Sequence, residues 1–117
     1  MENKIPYSPQ RLEATNTLLT ILPGYLKNKK KIIDIGSGKL YFYNVLLKLK
    51  FKGKYLGIDI EPKRPDKTQK GLTVRIFKKS IFDFKTKEKF DIAVCFWVLE
   101  HIKKDMLALN KISKLIK

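Results

Sequence analysis

The sequence predicts an α/β fold, a doubly wound parallel sheet with helices on its faces. Three observations carry that prediction. Ile32-Ile33-Asp34-Ile35 is a β-branched run that ends in Gly36-Ser37-Gly38, and apolar residues at helical spacing follow, Leu40 and Leu47 among them. This is the order of a buried strand, a tight loop and a helix start. Three further apolar runs, Tyr55–Ile60, Leu72–Phe77 and Phe90–Trp97, are separated by helical or loop segments, and strand–helix alternation builds parallel sheets covered on both faces. Each run ends in residues suited to a ligand, and ligands of such sheets bind at the carboxyl ends of the strands.

In chain order, residues 1–7 read as a flexible arm of a single domain spanning 1–117. Ser8-Pro9 supplies a hydroxyl N-cap and a proline at the first helical position. Leu12, Leu18, Leu19, Leu22 and Leu26 then recur at helical spacing, and Pro23-Gly24 should break or kink that helix. A polar turn around Asn28 leads into the first strand. A helix is expected over Tyr41–Leu49, a turn over Phe51–Lys54 and the second strand over Tyr55–Ile60. Glu61–Gly71 holds two prolines and many charges, so it reads as loop. Leu72–Phe77 is the third strand and Phe90–Trp97 the fourth and most apolar. Leu99–Ile116 reads as a helix with Ile102, Met106, Leu109, Ile112 and Ile116 on one face.

Composition narrows the function classes. A chain of 117 residues makes one domain at most, with a small core. An apolar content of 44% excludes wholesale disorder. No apolar run reaches the length of a membrane span, and the N-terminus leads into no apolar signal core, so a cytoplasmic protein without a membrane partner is expected. The net charge of +15 raises a nucleic-acid reading. Yet among the 26 basic residues only Arg11, Arg64 and Arg75 are arginine, the side chain best suited to phosphate forks and base edges. The lysines are also scattered along the sequence. A solvated lysine-rich surface is therefore the favoured reading, with RNA as the lesser one. Cys95 has no second cysteine to pair with and reads as packing. One histidine and one cysteine cannot build a zinc site, so no metal is expected.

The glycine loop admits three nucleotide-type readings. A P-loop would need its first glycine at Ile33 and a hydroxyl at Leu40, and fails on both. The dinucleotide fingerprint would need a third glycine at Tyr41. The third reading starts from Asp34, an acid inside the strand two residues before the first glycine.

That pattern, apolar-apolar-Asp-apolar-Gly-x-Gly, resembles motif I of the class I S-adenosylmethionine-dependent methyltransferases, which have a Rossmann-like fold. The resemblance extends from Ile32 to Lys117. Tyr55-Leu56-Gly57-Ile58-Asp59-Ile60-Glu61-Pro62 resembles their second strand with its ribose-binding acid. Ser80–Phe84 resembles the segment beside the adenine, and Phe90–Val94 with Val98-Leu99-Glu100-His101-Ile102 resembles the fourth strand and the following Glu-His helix start. The resemblance implies S-adenosylmethionine as cofactor. It implies that Asp34 orients the methionine end through its ammonium, that Gly36, Ser37 and Gly38 let the cofactor lie against backbone, and that Asp59 binds the ribose while Ile60 packs on the adenine. Ser80 and Ile81 would meet the adenine edge, Cys95 and Phe96 would border the methionine portion, and His101 is the candidate catalytic residue facing a methyl acceptor of unknown identity. Two departures stand out: Leu40 occupies the place of the family's third glycine, and Ser80 stands where many members have aspartate.

The implied reaction moves a methyl group from a sulfonium to a nucleophile, so the protein's task is alignment, with a base needed only for a protonated acceptor. The rival readings are a non-catalytic cofactor-binding or scaffold subunit and a basic RNA-binding module on the same fold. The family sheet runs 3-2-1-4-5-7-6, and Ile116-Lys117 stands just before its Pro-Gly-Gly turn and fifth strand. Four strands in the order 3-2-1-4 are therefore expected, as in a short or truncated member. Ile92–Trp97 would form an edge that pairs with a second copy or a partner subunit.

Overall fold

A computed structural model describes residues 22–95 and 105–117. The arm 1–7, the Ser8-Pro9 helix start, Phe96, Trp97 and His101 lie outside them. The described elements are β1 (Lys31–Ile35), α1 (Tyr41–Lys48), β2 (Gly53–Asp59), β3 (Leu72–Lys78), β4 (Ile92–Val94) and α2 (Asp105–Ser113). The strands form one sheet in the order β3-β2-β1-β4, and every neighbouring pair is parallel. This is the expected class and order.

Two apolar layers sandwich the sheet. Ile32, Tyr55, Leu72 and Ile76 face α1 in one layer, while Ile33, Ile35, Leu56 and Ile58 face Ile81, Phe84, Phe90 and α2 in the other. β1 is the core of the molecule: Ile32 and Ile33 are wholly buried, as a strand flanked on both edges and both faces must be. In α1, Tyr41, Phe42, Tyr43, Val45, Leu46 and Leu47 are all buried, so this short helix is enclosed nearly all round. Each such side chain contributes about 1.5–3 kcal/mol through removal from water. No helix of the described residues is long and apolar enough to cross a membrane.

Three sequence expectations change. Residues 22–26 are helical and the turn comes at Lys27-Asn28, with Asn28 at φ 65°; the expected break or kink between this turn of helix and the chain before Leu22 lies outside the described residues. The described fourth strand covers only Ile92–Val94. Phe90 forms a bridge with Ile116 instead, its N–H donating to the Leu115 carbonyl at 2.7 Å and its carbonyl accepting from Lys117 N at 3.0 Å. That contact ends α2 at Ser113, short of Ile116. It also rotates the buried face: Ala108, Ile112 and Leu115 are buried, whereas Met106, Leu109 and Ile116 are exposed. Residues 79–90 carry no helix, which leaves a groove of about 420 Å³ over β3, lined by Leu56, Arg75, Phe77, Phe84 and Glu88.

Asp91 fastens the start of β4 to the start of β1. Its Oδ2 accepts from Lys30 N at 2.7 Å and Lys31 N at 2.8 Å, and its Oδ1 pairs with Lys117 Nζ at 3.1 Å. The Lys30 N–H, with Lys31 and Lys117 behind it, lowers the Asp91 carboxyl to about 2. A folded-state value below the ordinary one stabilises the fold above about pH 4, and that contribution is lost as pH falls toward about 2. Asp91→Ala is expected to cost about 1–2 kcal/mol in urea unfolding at neutral pH. The gap to wild type should close in acid; a gap constant down to about pH 2 would refute this assignment.

Candidate functional site

The carboxyl ends of β1 and β2 bring the chemically useful residues together. After β1 the chain turns through Gly36 (φ 76°), Gly38 (φ 50°) and Leu40 (φ 69°). The left-handed conformation suits the two glycines. At Leu40, which stands where the resembled motif has glycine, the same conformation costs a side-chain-bearing residue about 1–2 kcal/mol. Its burial at 4% exposed offsets that strain. Gly36 N and Ser37 N both donate to the Ile58 carbonyl, at 2.8 and 3.0 Å, so the loop folds back onto β2. Gly57 makes this fit: a Cβ there would stand 3.0 Å from both Ser37 Cβ and Ile76 Cδ1.

Asp59 closes the arrangement. Its Oδ2 accepts from Gly38 N at 2.8 Å, tying the end of β2 to the glycine loop. Its Oδ1 accepts from Glu61 N at 2.8 Å, which holds the chain's exit from the strand. The next side chain, Ile60, is 66% exposed, a cost in water that an aromatic ligand ring would relieve. Within the loop, Ser37 is 4% exposed and its Oγ has no hydrogen-bond partner. Buried hydroxyls are normally paired.

Asp34 lies deeper, 2% exposed. Tyr55 donates its hydroxyl to Asp34 Oδ2 at 2.5 Å, and the Tyr55 ring meets Tyr43 edge-on at 5.2 Å. Tyr43 in turn donates to the Lys67 carbonyl at 2.6 Å. Burial pushes the Asp34 carboxyl up to about 7, against the Tyr55 hydrogen bond and with help from the Asp59 charge. Burial likewise raises the Tyr55 hydroxyl well above its ordinary value. A carboxyl poised at neutrality inside the fold changes charge with little provocation, and a cation placed beside it would hold it ionised.

The remaining candidates sit elsewhere along the strand ends. The Ser80 hydroxyl donates to Asp83 Oδ2 at 3.1 Å and accepts from Asp83 N at 3.2 Å, so it organises its own turn. The Ile81 side chain is buried in the core with Phe84. Cys95 is half-buried just past β4. Tyr55 and Gly57 were not among the sequence-derived site residues. Both sit in the strand that ends at Asp59, and no sequence signal distinguishes them from core residues.

A family model described as a methyltransferase domain matches residues 26–117. The chain belongs to the methyltransferase-domain family. The fold of this methyltransferase domain is similar to that of the plantazolicin methyltransferase BpumL. The match to its complex with SAH has 13% identity and a TM-score of 0.66, and covers 92% of this chain and 43% of that one. The match to its complex with a pentazolic desmethylPZN analog and SAH has 14% identity and a TM-score of 0.67, and covers 94% and 44%. The chain thus spans less than half the length of that protein, and at these identities the likeness is one of fold. No curated protein matches the chain.

Proposed function

We propose that this methyltransferase domain binds S-adenosylmethionine at the carboxyl ends of β1 and β2 and serves methyl transfer to an acceptor not yet identified. The observation that carries this reading is the Gly38–Asp59 contact. It sets a backbone loop with glycine conformations and a carboxylate side by side, with Ile60 exposed beyond and Asp34 below. The residues fit the cofactor's chemistry. The Asp59 carboxylate is an acceptor for ribose hydroxyls, and Ile60 offers an apolar wall to the adenine. Asp34 offers a counter-charge to the ammonium, and the unpartnered Ser37 Oγ supplies a polar atom at the base of the loop. The bound cofactor would supply an activated methyl group, so the chain's own work is to bind and orient. His101 and Phe96 keep the roles the resemblance implies, toward the acceptor and the methionine portion; Cys95 would border that portion too. A cytoplasmic location is part of the proposal, and fractionation with another compartment would overturn it.

Calorimetry with S-adenosylmethionine and S-adenosylhomocysteine tests the binding, and no heat at millimolar ligand would refute it. Turnover of labelled methyl groups separates an enzyme from a cofactor-binding scaffold. At the adenine end, the Ser80 hydroxyl donates to Asp83 and keeps a lone pair for the adenine amino group, so Ser80→Ala is expected to weaken binding, whereas an aspartate there would meet the Asp83 carboxylate. Unchanged affinity in a folded Ser80→Ala variant would place Ser80 away from the adenine. β4 is an edge among the described strands, which supports a second copy or a partner subunit pairing along Ile92–Trp97. Slow hydrogen exchange at Ile92–Val94 in an associated state supports that pairing. A monomer with full turnover would sink it.

A further inference from the structure

Six lysines that are scattered in sequence are brought by the fold to the amino end of the sheet, opposite the glycine loop. Lys29 and Lys30 precede β1, Lys52 and Lys54 flank the start of β2, Lys70 precedes β3, and Lys114 follows α2; all six are exposed. The backbone joins these segments in a row. Lys54 N donates to the Lys30 carbonyl at 2.7 Å, Gly53 N donates to the Gly71 carbonyl at 2.8 Å, and Phe90 N donates to the Leu115 carbonyl.

Carboxylates do not offset this row. The strand-start segments hold two, Glu88 and Asp91, and both are engaged. Glu88 bonds Arg75 at 2.8 and 3.0 Å and Lys31 at 2.7 Å, and Asp91 is taken by the starts of β1 and by Lys117. Of the other described carboxylates, Asp59, Glu61 and Asp83 follow the carboxyl ends of β2 and β3, Asp34 is buried, Asp105 opens α2, and Asp66 lies in the loop between β2 and β3. The two ends of the sheet therefore differ in charge.

We propose that the amino end of the sheet is a binding site for a nucleic-acid phosphodiester backbone, separate from the cofactor site. Lysines without arginine forks hold phosphates as point charges and read no sequence. The segments 29–31, 50–54 and 70–71 expose no large apolar side chain, so the lysines there work without a stacking ring among them. A row also fits a linear polyanion better than a lipid surface, which is held by a two-dimensional basic patch or by apolar anchors. Four strands about 4.8 Å apart span about 14 Å, the reach of about four phosphates at ~3.4 Å each along one strand.

The test is fluorescence anisotropy with labelled duplex RNA, single-stranded RNA and duplex DNA across a salt series, which separates the sources of the backbone. The expected log–log salt slope is about −3 to −4. Combining Lys52→Gln, Lys54→Gln and Lys70→Gln is expected to weaken binding at least about tenfold and flatten the slope by about 2–3. The control variant, Lys63→Gln with Lys78→Gln and Lys85→Gln, removes the same charge from the other end and should lose less than about threefold. Equal losses from both triples would show an undirected charge effect and overturn the proposal. So would no binding to any nucleic acid near ~0.15 M salt, or tighter binding of phosphatidylserine vesicles through the same lysines. Calorimetry with S-adenosylhomocysteine on the same variants reads the cofactor site independently.

Discussion

Asp59→Ala is expected to weaken S-adenosylhomocysteine binding by about 1–3 kcal/mol, or about 5- to 150-fold. The carboxylate has two tasks at once. It receives the N–H groups of Gly38 and Glu61 at 2.8 Å, and in the proposed complex it accepts from the ribose. Alanine removes the ribose acceptor and releases the loop that lies beneath the ligand. Asp59→Asn separates the two losses, because its amide oxygen can still accept one backbone N–H while the charge is gone. Calorimetry should rank wild type above asparagine and asparagine above alanine. Equal affinity of Asp59→Ala and wild type would remove Asp59 from the site.

Cofactor affinity should rise as pH increases through about 7, and Tyr55→Phe should move that rise to higher pH. The buried Tyr55–Asp34 hydrogen bond and the Asp34 value of about 7 give the sign. Below that value Asp34 is neutral and offers nothing to an ammonium; above it the carboxylate attracts the cation. Tyr55 donates to the ionised form, so losing its hydroxyl makes ionisation harder. The titratable neighbours are Tyr55 and Asp59, with Tyr43 against the Tyr55 ring. Phenylalanine keeps that ring contact, so the change isolates the hydroxyl. Binding of 5′-methylthioadenosine, which has no ammonium, should show no such rise. A flat profile for S-adenosylhomocysteine, or the same shift for both ligands, would take Asp34 away from the ammonium. Without ligand, the sign for stability is the reverse. A carboxyl raised from 3.8 to about 7 makes the folded state bind more protons than the unfolded one. Stability from this group is therefore full below about pH 4 and declines as pH rises toward about 7.

The strand–loop–strand frame was legible because it depends on local chemistry. β-branched runs make strands, Gly36 and Gly38 make the loop, and an acid at the end of β2 follows from the resemblance. What the sequence did not reveal depends on long-range contacts. The buried residues of α2 and the turn after it are Ala108, Ile112 and Leu115 because Phe90 pairs with Ile116 and turns the chain; helical periodicity alone favours the larger Met106 and Leu109. Tyr55 reads as one more aromatic of a buried strand until its hydroxyl is seen on Asp34. Ser80 matches an adenine-binding position by order, yet its hydroxyl is taken by Asp83, three residues on.

The all-parallel pairing has a consequence for how the chain acquires its shape. The described strands form no hairpin: Ile32 must find Tyr55, Tyr55 must find Val74, and Ile32 must also find Ile92. Each pairing closes a long stretch of chain before any reward arrives, so a high contact order and slow folding follow. The β1–α1–β2 segment closes the shortest circuit to the central strand and buries the most apolar side chains, which makes it the expected nucleus. β4 joins from the greatest distance through three residues, and Asp91 is its clasp. Conservative changes in α1 should therefore slow folding, whereas changes in β4 should mainly hasten unfolding. Until β4 docks, one edge of the most buried strand stays open to other chains, and the time spent in that state, more than final stability, governs how much protein survives at high concentration.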